Sequence, residues 1–132
     1  MTPEQALKGM LLNEYQQRAM QTRMPSCHNL MYALLNLGSE VGELQGALAK
    51  AIRKEEAEIN FNDLDFSTAV NSNLDVSKAL IDKLRDELGD VLWQCACVAD
   101  NMGWTLNDIA ILNLKKLQAR KADGTIATHT DH

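Results

Sequence analysis

At 132 residues and a net charge of −5, the chain fits one domain with a modest core, and its charge argues against a nucleic-acid polymer as partner. The N-terminal MTPEQALKGM lacks the basic-then-apolar layout of a signal peptide, and no apolar run reaches the roughly 18 residues of a membrane helix, so a cytoplasmic protein with no membrane partner is expected. Cys27, Cys95 and Cys97 have neither zinc-site nor CxxC spacing, and read as reduced residues in packing positions.

Four helical segments follow in order. Thr2 can cap a first helix with Pro3 at its first position, running to about Met24, where Pro25 stops it. Ser26 can cap the second, roughly 27–56. Its apolar stripe is Leu30, Leu34, Leu37, Val41, Leu44, Leu48 and Ala51, spaced alternately by 4 and 3 residues, which is a helix period with a bundle-like seam. Residues 57–75 break the pattern with recurring Asn, Asp and Ser, and read as a long connection. The third helix starts at Asp75 or Ser77 and runs to about Met102, with the stripe Leu80, Leu84, Leu88, Val91, Cys95, Val98 and Met102. Gly103 suits the position just past its end. Thr105 opens T-L-N-D, a capping-box-like start with Asp108 in place of the usual Glu or Gln, for a fourth helix over about 106–121; 123–132 reads as a tail. Strand patterning is almost absent, so the fold class is all-α, a four-helix-bundle-like single domain over 1–132. The broad apolar surface on short helices predicts an oligomer.

Two carboxylate pairs stand out. Glu40 and Glu43 sit in NLGSEVGELQGAL, Glu87 and Asp90 in DELGDVLWQ. Residues i and i+3 share one helix face, about 5–6 Å apart. Like charges that close repel, and apolar neighbours raise the cost of ionising them. The pairs lie on stripes beside the apolar seams: Asn36, Glu40, Glu43, Ala47, Lys50, Lys54 on the second helix, and Lys83, Glu87, Asp90, Gln94, Cys97 on the third. If the helices pack antiparallel through their seams, the flanks meet and four acids face one cleft. Such a cleft suits a hard divalent cation, which prefers oxygen ligands. On the fourth helix Asn113, Lys116 and Arg120 share one face and Lys121 follows; an amide, an ammonium and a guanidinium suit phosphate oxygens. Each part alone reads as surface: one ExxE is in general a solvated face, and Lys116 and Arg120 alone are surface charges. Trp93 and Trp104 read as core or interface residues, His28 as a helix-start residue, and His129 and His132 as tail residues. The combination carries the reading.

At these residues the chain resembles the MazG-like family of all-α nucleoside triphosphate pyrophosphohydrolases. The family's hallmark, ExxE then ExxD, stands here as Glu40-Val41-Gly42-Glu43 and Glu87-Leu88-Gly89-Asp90. LGSEVGEL, RDELGDVLWQ, a GW-L--I turn and NLKKLQAR extend the likeness over roughly residues 28–124, in the compact single-domain form of phage and mobile-element members. The 57–75 connection is longer than in the smallest members, and the tail is not a general family feature. The resemblance implies conversion of an NTP or dNTP to the NMP and pyrophosphate with magnesium, or manganese in its place, in a homodimer or dimer of dimers. Glu40, Glu43, Glu87 and Asp90 would hold the metal, Glu40 or Glu43 would take the proton of the attacking water, and Asn113, Lys116, Arg120 and Lys121 would grip phosphates. Lys54, with Lys50, is a further candidate for the phosphates. The base would lie by the first and early second helix, where Tyr32 is the nearest aromatic residue. The rival reading is a non-catalytic helical module that binds a nucleotide or a protein partner. A redox di-metal bundle would need Glu-x-x-His pairs, which neither Glu43 nor Glu87 provides.

Overall fold

The computed structural model describes residues 2, 7, 9–54 and 74–124, and of 74–77 the backbone alone. Among them run four α-helices: α1, Leu12–Met20; α2, Leu30–Arg53; α3, Leu74–Asn101; and α4, Leu106–Ala122; a 3-10 turn, Pro25–Cys27, joins α1 to α2. No strand occurs among the described residues, and no helix among them is long and apolar enough to cross a membrane. The expected start at Pro3, most of the 57–75 connection and the tail from residue 125 lie outside the described residues.

The first helix is shorter than its pattern predicts. Gly9–Leu11 is not helical, and α1 ends at Met20 with Gln21 as its C-cap. The α2 cap is also corrected. Ser26 lies inside the 3-10 turn, and Asn29 caps instead, its Oδ1 accepting from the Tyr32 N–H at 3.0 Å. Asn29 has the extended backbone and short side-chain oxygen that the role needs. The end of α3 follows expectation. Gly103 takes φ +74, and N–H groups of Gly103 and Trp104 donate to the carbonyls of Asp100 (3.1 Å) and Ala99 (2.9 Å), the paired closure of a Schellman end.

Side chains satisfy the first three N–H groups of α4. Gln16 Oε1 accepts from Leu106 at 2.6 Å, Asn13 Oδ1 from Asn107 at 3.1 Å, and Thr105 Oγ1 from Asp108 at 3.1 Å. These are donors a helix cannot satisfy itself. Because two of the acceptors belong to α1, capping α4 also docks α1; Gln16 Nε2 adds a bond to the Trp104 carbonyl at 2.9 Å.

The two long helices, α2 and α3, form the main interface. They run antiparallel: Ala51, Leu48 and Ile52 pack against Leu80 and Leu84 at one end, and Ala33 packs with Cys97 and Trp93 at the other. The expected seam holds at the first of these ends, where Leu48, Ala51, Leu80 and Leu84 pack together, and departs from the stripes toward the other. Leu34 (46% exposed), Leu88 (57%) and Met102 (42%) of the apolar stripes face outward, while Ala33, Ala51, Leu80, Glu87, Gln94 and Cys97 are buried. Beyond the Leu48, Leu80 and Leu84 contact, buried positions include Ala33 and, on the carboxylate flank, Glu87, Gln94 and Cys97. The reason is steric: Ala33 lets the backbones come close there, and the larger Leu34 and Leu88 are left facing outward.

Trp93 fastens α1 across this pair, its Nε1–H donating to the Ala19 carbonyl (3.2 Å) and Thr22 Oγ1 (3.0 Å). Arg23 adds an ion pair to Asp100 Oδ2 at 2.9 Å. The three cysteines are free thiols, Cys27 and Cys97 buried. The Cys97 thiol donates to the Cys27 carbonyl at 3.3 Å, and burial raises the Cys97 and Cys95 pKa values, which suppresses the thiolate.

Candidate functional site

The antiparallel pairing sets the ExxE of α2 against the ExxD of α3. Glu40, Glu87 and Asp90 each offer an oxygen, and these oxygens all lie within 4.8 Å of one another. Glu43 stands near enough for its charge to raise the Glu40 pKa, but it is not one of the three whose oxygens converge. Three of the four acids therefore meet at one place within a single chain, and Glu43 is exposed beside them.

Their environments differ. Glu87 is buried (7% exposed), Glu40 is half-buried, and Glu43 and Asp90 are exposed. Lys83, one turn earlier on α3, places Nζ 2.7 Å from Glu87 Oε1. That contact raises the Lys83 pKa. The other oxygen, Glu87 Oε2, is buried without a hydrogen-bond partner, as is Glu40 Oε2. An unpartnered buried carboxylate oxygen costs several kcal/mol or more in general terms unless a cation or proton meets it. Two of them, beside three converging carboxylates, fit a hard oxygen-seeking divalent cation.

The Glu40 pKa is raised above 4.5, first by burial and then by the charges of Glu43, Asp90 and Glu87, with the shared Glu43 hydrogen bond adding to it. The folded chain therefore takes up a proton at Glu40 at a higher pH than the unfolded chain does. Stability then rises as pH falls through the folded pKa, and the gain is complete below the unfolded value near 4.5. In EDTA, Glu40→Gln is expected to melt at a higher temperature than the wild type at pH 7, with the gap closing toward pH 4.5. Thermal melts of both proteins across that range check it; a Gln variant that is less stable at pH 7 would show that Glu40 is not a strained charge.

Two neighbours were not picked out from the sequence. Tyr15 of α1 stands near Asp90, and its pKa is raised by burial first and by Asp90 and Cys95 next. Its position depends on the α1 docking, which periodicity does not reveal. Gln94, one turn past Asp90, is 4% exposed and its Oε1 has no partner. It was visible only as a member of the polar stripe. Tyr32, the expected aromatic neighbour, is exposed at the start of α2.

The phosphate candidates fall in two places. Lys50 and Lys54 lie on α2 beyond the acids and line a hollow with Lys83. Asn113 and Lys116 line a different hollow on α4 with Trp104, Asp108, Ile109 and Leu112. Arg120 is half-buried and Lys121 exposed near the end of α4. Helix α4 packs on α1 and on α3, and no contact of comparable extent joins it to α2.

The family model described as the MazG nucleotide pyrophosphohydrolase domain matches residues 29–125, close to the 28–124 expected from the motifs. The Gene 37 protein of Mycobacterium phage L5 is 29% identical over 107 residues, covering 81% of this chain and 79% of that protein. No solved structure matches the chain.

Proposed function

Because the chain belongs to the MazG nucleotide pyrophosphohydrolase domain family, we propose that it hydrolyses a nucleoside or deoxynucleoside triphosphate to the monophosphate and pyrophosphate. The observation that carries this reading is the meeting of Glu40, Glu87 and Asp90 oxygens within 4.8 Å, with two buried carboxylate oxygens left over. A binding module that does no chemistry gains nothing from four mutually repelling acids.

Glu40, Glu43, Glu87 and Asp90 would hold Mg²⁺, with Mn²⁺ as a substitute. When bound, such an ion neutralises phosphate charge and lowers the pKa of water. The protein's own part is positional. Lys83 holds one oxygen of Glu87 and leaves the other toward the cluster. Glu40, with its raised pKa, is the better-tuned of the two candidate bases for taking the proton of an attacking water, and Glu43, exposed one turn along, can pass that proton outward. Phosphoryl transfer asks mainly for alignment and charge neutralisation, which acids and lysines on two rigid helices supply. The base would lie toward α1, where Tyr15 stands beside Asp90. Asn113, Lys116, Arg120 and Lys121 would grip phosphates from α4. The outward apolar rows, including Leu34, Leu35, Leu88 and Leu92, suit the interface of a homodimer or dimer of dimers, and the whole chain would act as one cytoplasmic domain.

The test is pyrophosphate release from a panel of canonical and modified NTPs and dNTPs, in Mg²⁺ and in EDTA. Metal-dependent release of pyrophosphate and NMP in equal amounts is expected. A folded protein that binds a nucleotide and never cleaves it would favour the binding module.

A further inference from the structure

One cation of the chain is bonded directly into the acid cluster. Lys83 Nζ lies 2.7 Å from Glu87 Oε1, and the two partners differ in surroundings: the Glu87 side chain is 9% exposed and that of Lys83 is 60% exposed. The carboxylate is therefore fixed in the α2–α3 groove, while the ammonium reaches it from solvent on a flexible stem. The spacing is i, i+4 on one helix, so the lysine can leave by side-chain rotation alone. Only one oxygen of Glu87 is engaged. Its Oε2 is buried with no hydrogen-bond partner, and Glu87 is one of the three acids whose oxygens converge within 4.8 Å. The same helix carries a contrasting pair. Arg85 and Asp82 stand 3.4 Å apart with side chains 75% and 55% exposed, an ordinary solvated ion pair of a helix surface. Lys83 instead meets a buried acid that two further carboxylates crowd.

Resting on the reading of these acids as a divalent-cation site, we propose that Lys83 is a positioning residue that acts as an internal counter-ion for the cluster. Its ammonium holds Glu87 Oε1 and offsets the negative charge of the acids while no divalent ion is bound. Without it, Glu87 is a buried charge beside the like charges of Glu40 and Asp90, which is a costly state. A divalent ion that enters the cluster supplies the same neutralisation and meets Lys83 as a like charge. The exposed lysine stem can then swing outward. Lys83 thereby sets two linked quantities in opposite directions. It stabilises the metal-free fold, and it weakens the affinity of the cluster for the ion. The consequence is that the acids hold a divalent ion loosely on their own, and take it up best together with the phosphate oxygens that share it.

Mn²⁺ alone, without nucleotide, is the probe, with the free ion counted by electron paramagnetic resonance. Thermal melts of the same proteins are taken in EDTA and in saturating Mn²⁺. Lys83→Gln should bind Mn²⁺ about three- to tenfold more tightly than the wild type, the scale of one screened charge a few ångströms from a divalent ion. It should melt about 3 °C or more below the wild type in EDTA. That gap should narrow in Mn²⁺, because tighter binding adds to the stability of the folded state. Lys83→Arg, which keeps the charge, should stay within about twofold of the wild-type Mn²⁺ affinity, and so should Arg85→Gln, which removes a cation from the same helix outside the cluster. A merely structural lysine would lower the melting temperature equally in both buffers and leave the affinity alone. Unchanged or weaker Mn²⁺ binding by Lys83→Gln, an equal melting gap in both buffers, or equal tightening by Arg85→Gln or Lys83→Arg would overturn the proposal. Failure of both the wild type and Lys83→Gln to bind Mn²⁺ would do so too. Nucleotide turnover on the same samples separates this idea from the hydrolase reading. Turnover with metal binding that ignores Lys83 sinks the counter-ion and leaves the reading. Mn²⁺ binding that depends on Lys83, in a protein that turns over no nucleotide, does the reverse.

Discussion

Glu87→Gln is expected to lower nucleotide turnover about a thousandfold or more while the helices stay folded. The amide keeps the shape of the side chain and one oxygen, but it removes the charge beside Lys83 and replaces one carboxylate oxygen of the cluster with an N–H donor that repels a cation. A loss of several kcal/mol of charge stabilisation at the reacting phosphate corresponds to about three orders of magnitude in rate. Asp90→Asn and Glu43→Gln should follow the same direction. Steady-state kinetics over a range of Mg²⁺ concentrations, with circular dichroism on the same preparations, measures it. Near-normal kcat for Glu87→Gln at limiting Mg²⁺ would remove the carboxylate cluster from the chemistry.

The largest effect on stability is expected at Trp93→Ala. The indole is half-buried in the cluster of Cys27, Ala33 and Cys97, and its N–H reaches across to the Ala19 carbonyl and the Thr22 hydroxyl. Truncation removes packing and both bonds at the junction of α1 with α3. A destabilisation of about 3 kcal/mol is expected, the low end for a buried aromatic because the ring is not fully enclosed. Trp93→Phe, which keeps most of the ring and loses the donor, should cost about 1 kcal/mol. Urea denaturation of the three proteins distinguishes them. A cost below 1 kcal/mol for the alanine variant would mean that α1 is held by the Gln16 and Asn13 bonds to α4 instead.

The parts of the fold that were legible from the sequence are those written in local chemistry. Gly103 ends α3 because a left-handed residue is needed there, and Thr105 starts α4 because its hydroxyl can accept the Asp108 N–H. The carboxylate pairs were legible too, since i, i+3 spacing puts each pair on one face and the antiparallel packing brings the faces together. The misread part was which face the helices share. Leu34 and Leu88 carry the periodic signal, yet they point outward, and Ala33 and Gln94 lie inside, while Ala51 and Leu80 are buried as the stripes predict. Hydrophobic periodicity ranks rows by side-chain size and so passes over a close contact made by alanines. The expected cap at Ser26 gives way to Asn29 for a related reason. Both residues can cap, and only the 3-10 turn after Pro25 decides which one has extended backbone at the right place. Tyr15 was missed because its neighbour Asp90 lies on another helix.

The inversion has a functional side. Small and acidic residues along part of the contact leave Leu34 and Leu88 facing outward. The stability given up by burying Glu87 and crowding Glu40 is what a site tuned for a metal-bound polyphosphate would show.

Water is expected to attack the α-phosphorus of a nucleotide held at Glu40, Glu43, Glu87 and Asp90. Hydrolysis in ¹⁸O-labelled water with Mg²⁺, followed by mass spectrometry of both products, tests it most directly. The account predicts one ¹⁸O in the nucleoside monophosphate and none in the pyrophosphate. Label in the pyrophosphate would place the attack at the β-phosphorus and contradict the assignment of the acids to the α-phosphate.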